Sequence, residues 1–162
     1  MKNPSILLLI SFLISCQEQP AQPDIALIQK AQLIHMKTLT LDTHDDINVK
    51  NFTDSLNYLM DTDTQVNIPK MERGGLDVAW FIVYTGQGEL NAEGYQKAAD
   101  NAQSKFDAIH RLVDEYAPNK MGLARSSKTL DSLRKIGKRI AMIGVENAYP
   151  IGETLTEVKR YY

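Results

Sequence analysis

The sequence predicts an α/β fold built on a parallel β-sheet. Short segments rich in β-branched and apolar residues alternate along the chain with longer segments whose apolar residues recur at helical spacing. In addition, residues 76–84 and 139–145 are nearly continuous apolar runs, and such runs are typical of strands that helices cover on both faces.

Residues 1–16 are predicted to be an export signal rather than part of the fold. Lys2 gives a positively charged start, and residues 6–14 are mostly isoleucine and leucine, too short a run for the ~20 residues that span a bilayer. The segment ends in Leu-Ile-Ser-Cys, which resembles a bacterial lipobox and makes Cys16 the predicted lipidation site. The alternatives are a plain signal peptide or a buried helix with an incidental cysteine.

The segment that follows Cys16 is predicted to be a flexible tether. Residues 17–23 contain two prolines and three glutamines, which favour a chain without its own packed structure. The folded domain is therefore expected to comprise residues 24–162.

The composition is that of an ordinary globular segment. The chain has 162 residues, a formal net charge of -2 and 43% hydrophobic residues, so a nucleic-acid-binding protein is not indicated. The length suits one domain at most, or a piece of a larger one. One cysteine excludes an internal disulfide.

The first part of the domain is predicted to contain two helices around one short strand. Asp24 is a plausible N-cap for a helix that runs to about Met36. Residues 38–43 alternate between apolar and polar, which predicts a strand. Residues 51–60 have helical spacing, with Phe52 and Leu56 on one side.

The rest of the domain is predicted to continue the alternation of strands and helices. Gly74 and Gly75 break the chain before the first apolar run, and Pro118 ends the long helix that follows it. Ser126 or Ser127 caps another helix, which Gly137 ends. The predicted elements are a strand at 76–84, a helix at 93–116, a short extended segment at 121–124, a helix to residue 136, a strand at 139–145 and a helix from 153.

Two groups of charged residues are given structural interpretations. The basic cluster of Arg134, Lys135, Lys138 and Arg139 is expected to be a solvated helix end, where cations favour the helix dipole. His35 and His110 lie in helical patterns and are expected to be solvated or packed side chains rather than ligands.

A candidate metal-binding pair lies at the end of the first predicted strand, in the segment Asp-Thr-His-Asp-Asp. Residues two apart in an extended chain point to the same side, so His44 and Asp46 are expected to project together. An imidazole and a carboxylate suit zinc, which binds both at about 2 Å. The pattern alone is weak, because most such residues are surface polar groups or turn formers.

Glu146 is the second candidate, because it ends the last apolar run. A carboxylate there must be solvated, paired or bound to metal, since burying it alone is costly. In a barrel of parallel strands the carboxyl ends converge on one rim, which would bring Glu146 close to His44 and Asp46. An exposed loop glutamate is the alternative.

Three blocks of sequence together resemble the membrane dipeptidases, also called peptidase family M19. Residues 41–46 are similar to that family's opening D-x-H-x-D signature. Residues 74–84 look like its second strand with a leading glycine pair, and residues 143–148 look like its I-G-V-E segment. The blocks occur in the family's order, and the resemblance covers the chain from about Ala26 onward.

The resemblance implies a partial, incomplete TIM (β/α)8 barrel of the metal-dependent hydrolase type, with residues 24–162 as its N-terminal part. It further implies that His44 and Asp46 bind one of two zinc ions and that Glu146 bridges both. A hydroxide between the ions would attack the peptide bond of a dipeptide, with relaxed side-chain demands and tolerance of a C-terminal D-residue.

The chain also departs from the family pattern. Asp45 stands where the family often has Asn, and Asn147-Ala148-Tyr149 replaces a frequent Gly-Gly-His, which leaves the shape of the pocket open. The remaining zinc ligands and the catalytic residues are expected downstream of Tyr162. The chain by itself is therefore expected to bind two zinc ions poorly and to be inactive.

Two rival functions remain at this point: another metal-dependent amidohydrolase, and a non-catalytic barrel lipoprotein. The glycine-pair strand and the I-G-V-E segment favour the dipeptidase. The expected partners are a dipeptide substrate and, through the lipid anchor, a membrane of the bacterial cell envelope on its periplasmic or outer-membrane face. A homodimer is left open.

Overall fold

The computed structural model describes residues 24–162, which form a parallel sheet with helices on both faces. The predictions for Cys16 and for the tether at 17–23 lie outside the described residues and stay predictions. Among residues 24–162, no helix has both the length and the apolar character needed to cross a bilayer. The helices are α1 Ile25–Lys37, α2 Ile68–Gly74, α3 Ala92–Arg111, α4 Ser127–Lys135 and α5 Val158–Tyr161; the strands are β1 Leu41–Asp46, β2 Val78–Tyr84, β3 Met121–Leu123 and β4 Arg139–Glu146.

The strand order in the sheet is β1-β2-β4-β3, and all neighbours are parallel. This confirms the α/β prediction. The short strand β3 pairs only with the first residues of β4, from Arg139 to Ala141. The outer edge of β1 and the outer side of β4 beyond Ala141 have no strand partner among the described residues, so the sheet stays open.

The two faces of the sheet are covered to different extents. On one face, called here the α3 face, Ala79, Phe81 and Val83 pack into the main core with residues of α3 and of the segment after β1. On the other, called here the open face, Val78 and Ile140 contact Leu130 and Leu133 of α4 at the amino ends of the strands. Toward the carboxyl ends of the strands on that face, Tyr84 is exposed. The rim of the open face, at the carboxyl ends of the strands, is therefore accessible.

The amino ends of three strands are joined by one carboxylate. Asp77 precedes β2; its Oδ2 accepts the backbone N–H of Thr40 before β1 at 3.1 Å, and its Oδ1 accepts Arg139 Nη1 of β4 at 3.1 Å. The Thr40 hydroxyl in turn donates to the Gly75 carbonyl at 2.6 Å and accepts the Asp77 N–H at 2.9 Å. Arg139 is thus a half-buried strand residue, which agrees with the strand predicted at 139–145, whereas its interpretation as part of a solvated helix end was wrong.

Most predicted elements are present, with shifted bounds. The strand predicted at 38–43 lies three residues later as β1, because Thr40 is used in the network around Asp77. The long helix α3 continues as a π-helical turn, Leu112–Tyr116. The helix predicted from residue 153 is reduced to a 3-10 turn, Leu155–Glu157, and the four residues of α5.

The helix predicted at residues 51–60 was wrong. That segment contains a 3-10 turn, Val49–Asn51, followed by turns in which side chains bind the backbone. Thr53 Oγ1 accepts the Leu56 N–H at 3.1 Å and Asn57 Oδ1 accepts the Leu59 N–H at 3.0 Å. Such local bonds compete with a helix. The buried residues are Phe52 and Tyr58, whose rings lie 4.6 Å apart, rather than a helical stripe.

The helix α2 was missed, although its end signals are present in the sequence. Asn67 caps its start, accepting the Lys70 N–H at 3.0 Å, and a proline stands in its first turn. Gly75 ends it with φ of +70°, a conformation that L side chains rarely adopt. The glycine pair predicted only a chain break; the helix before it is too short for a periodic signal.

We expect Asp77→Ala to destabilise the protein by about 2–3 kcal/mol, because it leaves the Thr40 N–H and the Arg139 guanidinium without their half-buried acceptor. Urea unfolding measures this change. Asp61→Ala is the matched control, since Asp61 pairs with Arg73 on the surface and should contribute little. Equal effects of the two substitutions would contradict the role assigned to Asp77.

Candidate metal centre

The carboxyl ends of β1 and β4 bring three ligand-type side chains together on the open face. In the sheet register Asp46 lies beside Ile82 and Gly144, and Glu146 lies beside Tyr84. Since β2 separates β1 from β4, His44 and Asp46 approach Glu146 across the end of β2. The residues predicted at one rim therefore meet there.

The distances between the three side chains are short. His44 Nε2 lies 3.2 Å from Glu146 Oε2 and 3.9 Å from Asp46 Oδ1, and one ligand atom from each residue lies within 4.8 Å of the others. All three side chains are exposed, by 54% for His44, 73% for Asp46 and 45% for Glu146. The cluster is open to solvent on one side.

The donor set fits a divalent metal ion of the zinc type. Zinc binds imidazole nitrogen and carboxylate oxygen at about 2.0–2.2 Å in tetrahedral geometry, which sets neighbouring ligand atoms about 3.3–3.6 Å apart. The separations of 3.2 and 3.9 Å lie close to that range, and the ligand atoms of Asp46 and Glu146 lie within 4.8 Å of each other. Two carboxylates also balance the charge of a divalent cation. Three protein ligands leave at least one coordination position open.

Local backbone structure directs these side chains. The pairing of β1 with β2 has an irregularity between Asp42 and Asp45, and Asp42 Oδ1 accepts the His44 N–H at 3.0 Å within it. Asp45 consequently points to the α3 face while Asp46 stays on the open face. The bulge thus separates neighbouring acidic residues into a buried group and a ligand-type group.

Asp45 is buried beneath the cluster, with 6% of its surface exposed, and among the described residues its Oδ2 has no hydrogen-bond partner. Burial, together with the nearby carboxylate of Asp42, raises the pKa of Asp45 to about 6, and a hydrogen bond from the Trp80 backbone only partly opposes this shift. A neutral amide at this position would avoid the cost of burying a charge. The sequence did not reveal that Asp45 is buried.

A glycine allows the packing below the cluster. A Cβ atom at Gly144 would lie 3.0 Å from both Trp80 Nε1 and Ile82 Cδ1, so these side chains of β2 lie across β4 at that point. They form an apolar floor on the open face, one step below Glu146. The glycine therefore provides the space that Trp80 occupies.

The loop after Glu146 is fixed to the loop after β2. Asn147 has φ of +76°, and its side chain donates to the Thr85 carbonyl at 2.9 Å and accepts the Tyr149 N–H at 2.9 Å. The Tyr149 hydroxyl donates to the Glu89 carbonyl at 2.5 Å. Tyr149 thus lines one side of a cleft of about 440 Å³ beside the start of α3.

A second cleft, of about 610 Å³, lies along β1 and includes the cluster residues His44 and Asp46. Its other wall comes from the segment after β1, with the polar residues Asn48, Asn51, Thr64 and Gln65. This volume lies in the range of small-ligand sites. Sequence reasoning missed this wall, because it had assigned part of the segment to a helix.

The other histidines lie apart from the cluster. The ring of His35 lies against Gly75, where an added Cβ atom would meet it at 3.2 Å. His110 Nδ1 lies 3.7 Å from Asp114 Oδ2 on the next turn of the same helical segment. Among the described residues, His44, Asp46 and Glu146 form the single group of three or more His, Cys, Asp or Glu residues close enough to hold a metal ion.

Residues 28–162 match the sequence model of the membrane dipeptidases, peptidase family M19. A search of curated proteins returns no match.

Three solved structures share the fold. The probable dipeptidase PvdM from Pseudomonas aeruginosa has a TM-score of 0.76 at 21% identity, over 84% of this chain and 35% of that one. A dipeptidase described as a metallopeptidase of family M19 has a TM-score of 0.59 at 20% identity, over 76% and 39%. An amidohydrolase from Pseudomonas aeruginosa has a TM-score of 0.53 at 17% identity, over 80% and 32%. The chain thus spans about a third of the length of these structures.

We expect the unfolding free energy of Asp45→Asn to increase relative to that of the wild type as pH rises. The raised pKa means that the folded state binds the Asp45 proton more tightly than the unfolded state, so the wild type loses stability as pH rises through about 6. Asn does not ionise. The difference in unfolding free energy between variant and wild type should grow by on the order of 2 kcal/mol between about pH 4 and about pH 7.5.

Urea unfolding at the two pH values, with chelator present, measures this growth. Asp131→Asn on the exposed side of α4 provides the control and should show no comparable growth. A difference for Asp45→Asn that stays constant with pH would contradict the burial of an ionisable group at this position.

Proposed function

The chain belongs to the membrane dipeptidase family, peptidase family M19, and from this premise we propose that it contributes the metal centre of a zinc-dependent dipeptidase. The observation that carries the proposal is the meeting of His44, Asp46 and Glu146, whose ligand atoms lie within 4.8 Å of one another. The family match supports the hydrolase class, and the metal, its ligands and the substrate are further parts of the proposal.

In this proposal His44, Asp46 and Glu146 hold the metal on the open face. A divalent metal ion in such a site acts as a Lewis acid that polarises a carbonyl and makes water nucleophilic near neutral pH. Glu146 faces the other two residues across the end of β2, and it would be the carboxylate to share a second ion if one were bound. Trp80 and Ile82 exclude water from the underside of the centre.

The cleft along β1 is the proposed binding site for the dipeptide. It contains His44 and Asp46, so an amide bond placed in it would lie beside the metal ligands. Asn48, Asn51 and Gln65 offer amide donors and acceptors, which suit a short peptide backbone and its charged ends. The lining also includes Ile47, Tyr58 and Val66, so the cleft offers apolar as well as polar contacts to a dipeptide.

We expect the protein to bind Zn²⁺ and to lose this binding when a ligand is removed. His44→Ala and Glu146→Gln should each weaken the affinity by at least about tenfold, the effect that loss of even a supporting group produces at metal sites. Competition with a chromophoric chelator measures the affinity. His110→Ala is the control and should bind zinc as the wild type does. Equal affinities for all four proteins would refute the ligand assignment.

We expect the full-length protein to hydrolyse dipeptides, and we expect this hydrolysis to stop when a chelator removes the metal. Release of free amino acids, with and without added Zn²⁺, measures this activity. Hydrolysis that persists in the chelator would contradict the metal mechanism. Bound zinc without turnover of any dipeptide would instead favour a non-catalytic barrel protein.

A further inference from the structure

A lysine from α3 reaches the carboxyl end of the central strand, beside the metal centre. Lys105 Nζ donates to the Tyr84 carbonyl at 2.7 Å and lies 5.7 Å from the centre of the Tyr84 ring. Tyr84 is the last residue of β2 and is paired in the sheet with Glu146. The ammonium group therefore occupies the position between the ends of β1 and β4.

The charges around this ammonium group are negative. Asp46 ends β1 on one side and Glu146 ends β4 on the other. Partial burial lowers the pKa of Lys105, while attraction from the carboxylates of Asp46 and Glu146 opposes the lowering. The ammonium and the two carboxylates therefore interact, although Lys105 forms no direct ion pair with either residue.

We propose that Lys105 is the resident counter-ion of the carboxylate pair formed by Asp46 and Glu146. Its charge keeps the two carboxylates close together in the metal-free protein, and the same charge weakens the binding of a divalent cation between them. The second effect rests on the proposed metal centre; the first does not.

The physical argument follows from the geometry of the rim. Two carboxylates that converge on one point repel each other, and a positive charge close to both offsets this repulsion. A lysine on a helix supplies a positive charge that is part of the protein, so no cation has to bind from solution. When a divalent cation enters, that lysine becomes a like charge nearby, and the affinity falls accordingly.

A purely structural role gives a different expectation. If Lys105 served only to bind the Tyr84 carbonyl, its removal would loosen the end of β2 with and without metal. The zinc affinity would then fall or stay unchanged. Removal of a counter-ion instead changes the two measurements in opposite directions. The stability of the metal-free protein falls, and the affinity for zinc rises.

The test uses Lys105→Met in the full chain, with Lys105→Arg to retain the charge. Lys97→Met is the matched control, because Lys97 lies on the same helix but pairs with Glu93 on the exposed surface. Urea unfolding in chelator gives the metal-free stability, and competition with a chromophoric chelator gives the Zn²⁺ affinity. We expect Lys105→Met to lower the urea midpoint and to tighten Zn²⁺ binding by on the order of tenfold. Lys105→Arg and Lys97→Met should resemble the wild type.

A double-mutant cycle in the metal-free protein separates this proposal from that of the metal centre. In a Glu146→Gln background, the loss of stability caused by Lys105→Met should shrink, because one partner charge is already gone. An undiminished loss would overturn the counter-ion role whether or not zinc binds. Zinc affinity that is unchanged or weaker in Lys105→Met would also overturn it. A wild type without zinc affinity would refute the metal centre alone.

Discussion

The fold depends on the hydrogen bonds that Asp77 makes at the amino ends of the strands. One carboxylate accepts from the residue before β1 and from the first residue of β4, while its own backbone leads into β2. Parallel strands advance by about 3.3 Å per residue, so strands that start in a fixed register also end in one. The contact between His44 and Glu146 is thus set by a network at the opposite end of the sheet, about 20 Å away.

The two faces of the sheet are chemically distinct, and both carry residues of the site or directly beneath it. On the α3 face the side chains of β2 are buried in an apolar core, which makes the central strand rigid. On the open face only the amino half is covered, by α4, and the carboxyl half bears the polar cluster. Neighbouring residues of β1 illustrate the division, because Asp45 is buried and Asp46 is exposed.

Sequence patterns were sufficient where a segment is long or strongly apolar. They predicted β2, α3, α4 and β4, and the alternation in β1 placed His44 and Asp46 on one side. They failed between β1 and β2, where Thr53 and Asn57 bind the local backbone and turns replace a helix. They also gave no signal for Asp77 with Arg139 or for Lys105 with Tyr84, because each pair is joined only by the folded chain. Such long-range polar contacts have no periodicity to detect.

The open edges of the sheet bear on how the protein associates. Backbone donors and acceptors on the outer side of β1 and along β4 beyond Ala141 have no strand partner among residues 24–162. Unprotected edges recruit further strands, either in productive assembly or in aggregation. The charged residues Asp42 and Asp46 discourage such recruitment at β1 through repulsion between like copies. The edge of β4 is apolar at Met142, Ile143 and Val145, so an added strand would meet less charge repulsion there than at β1.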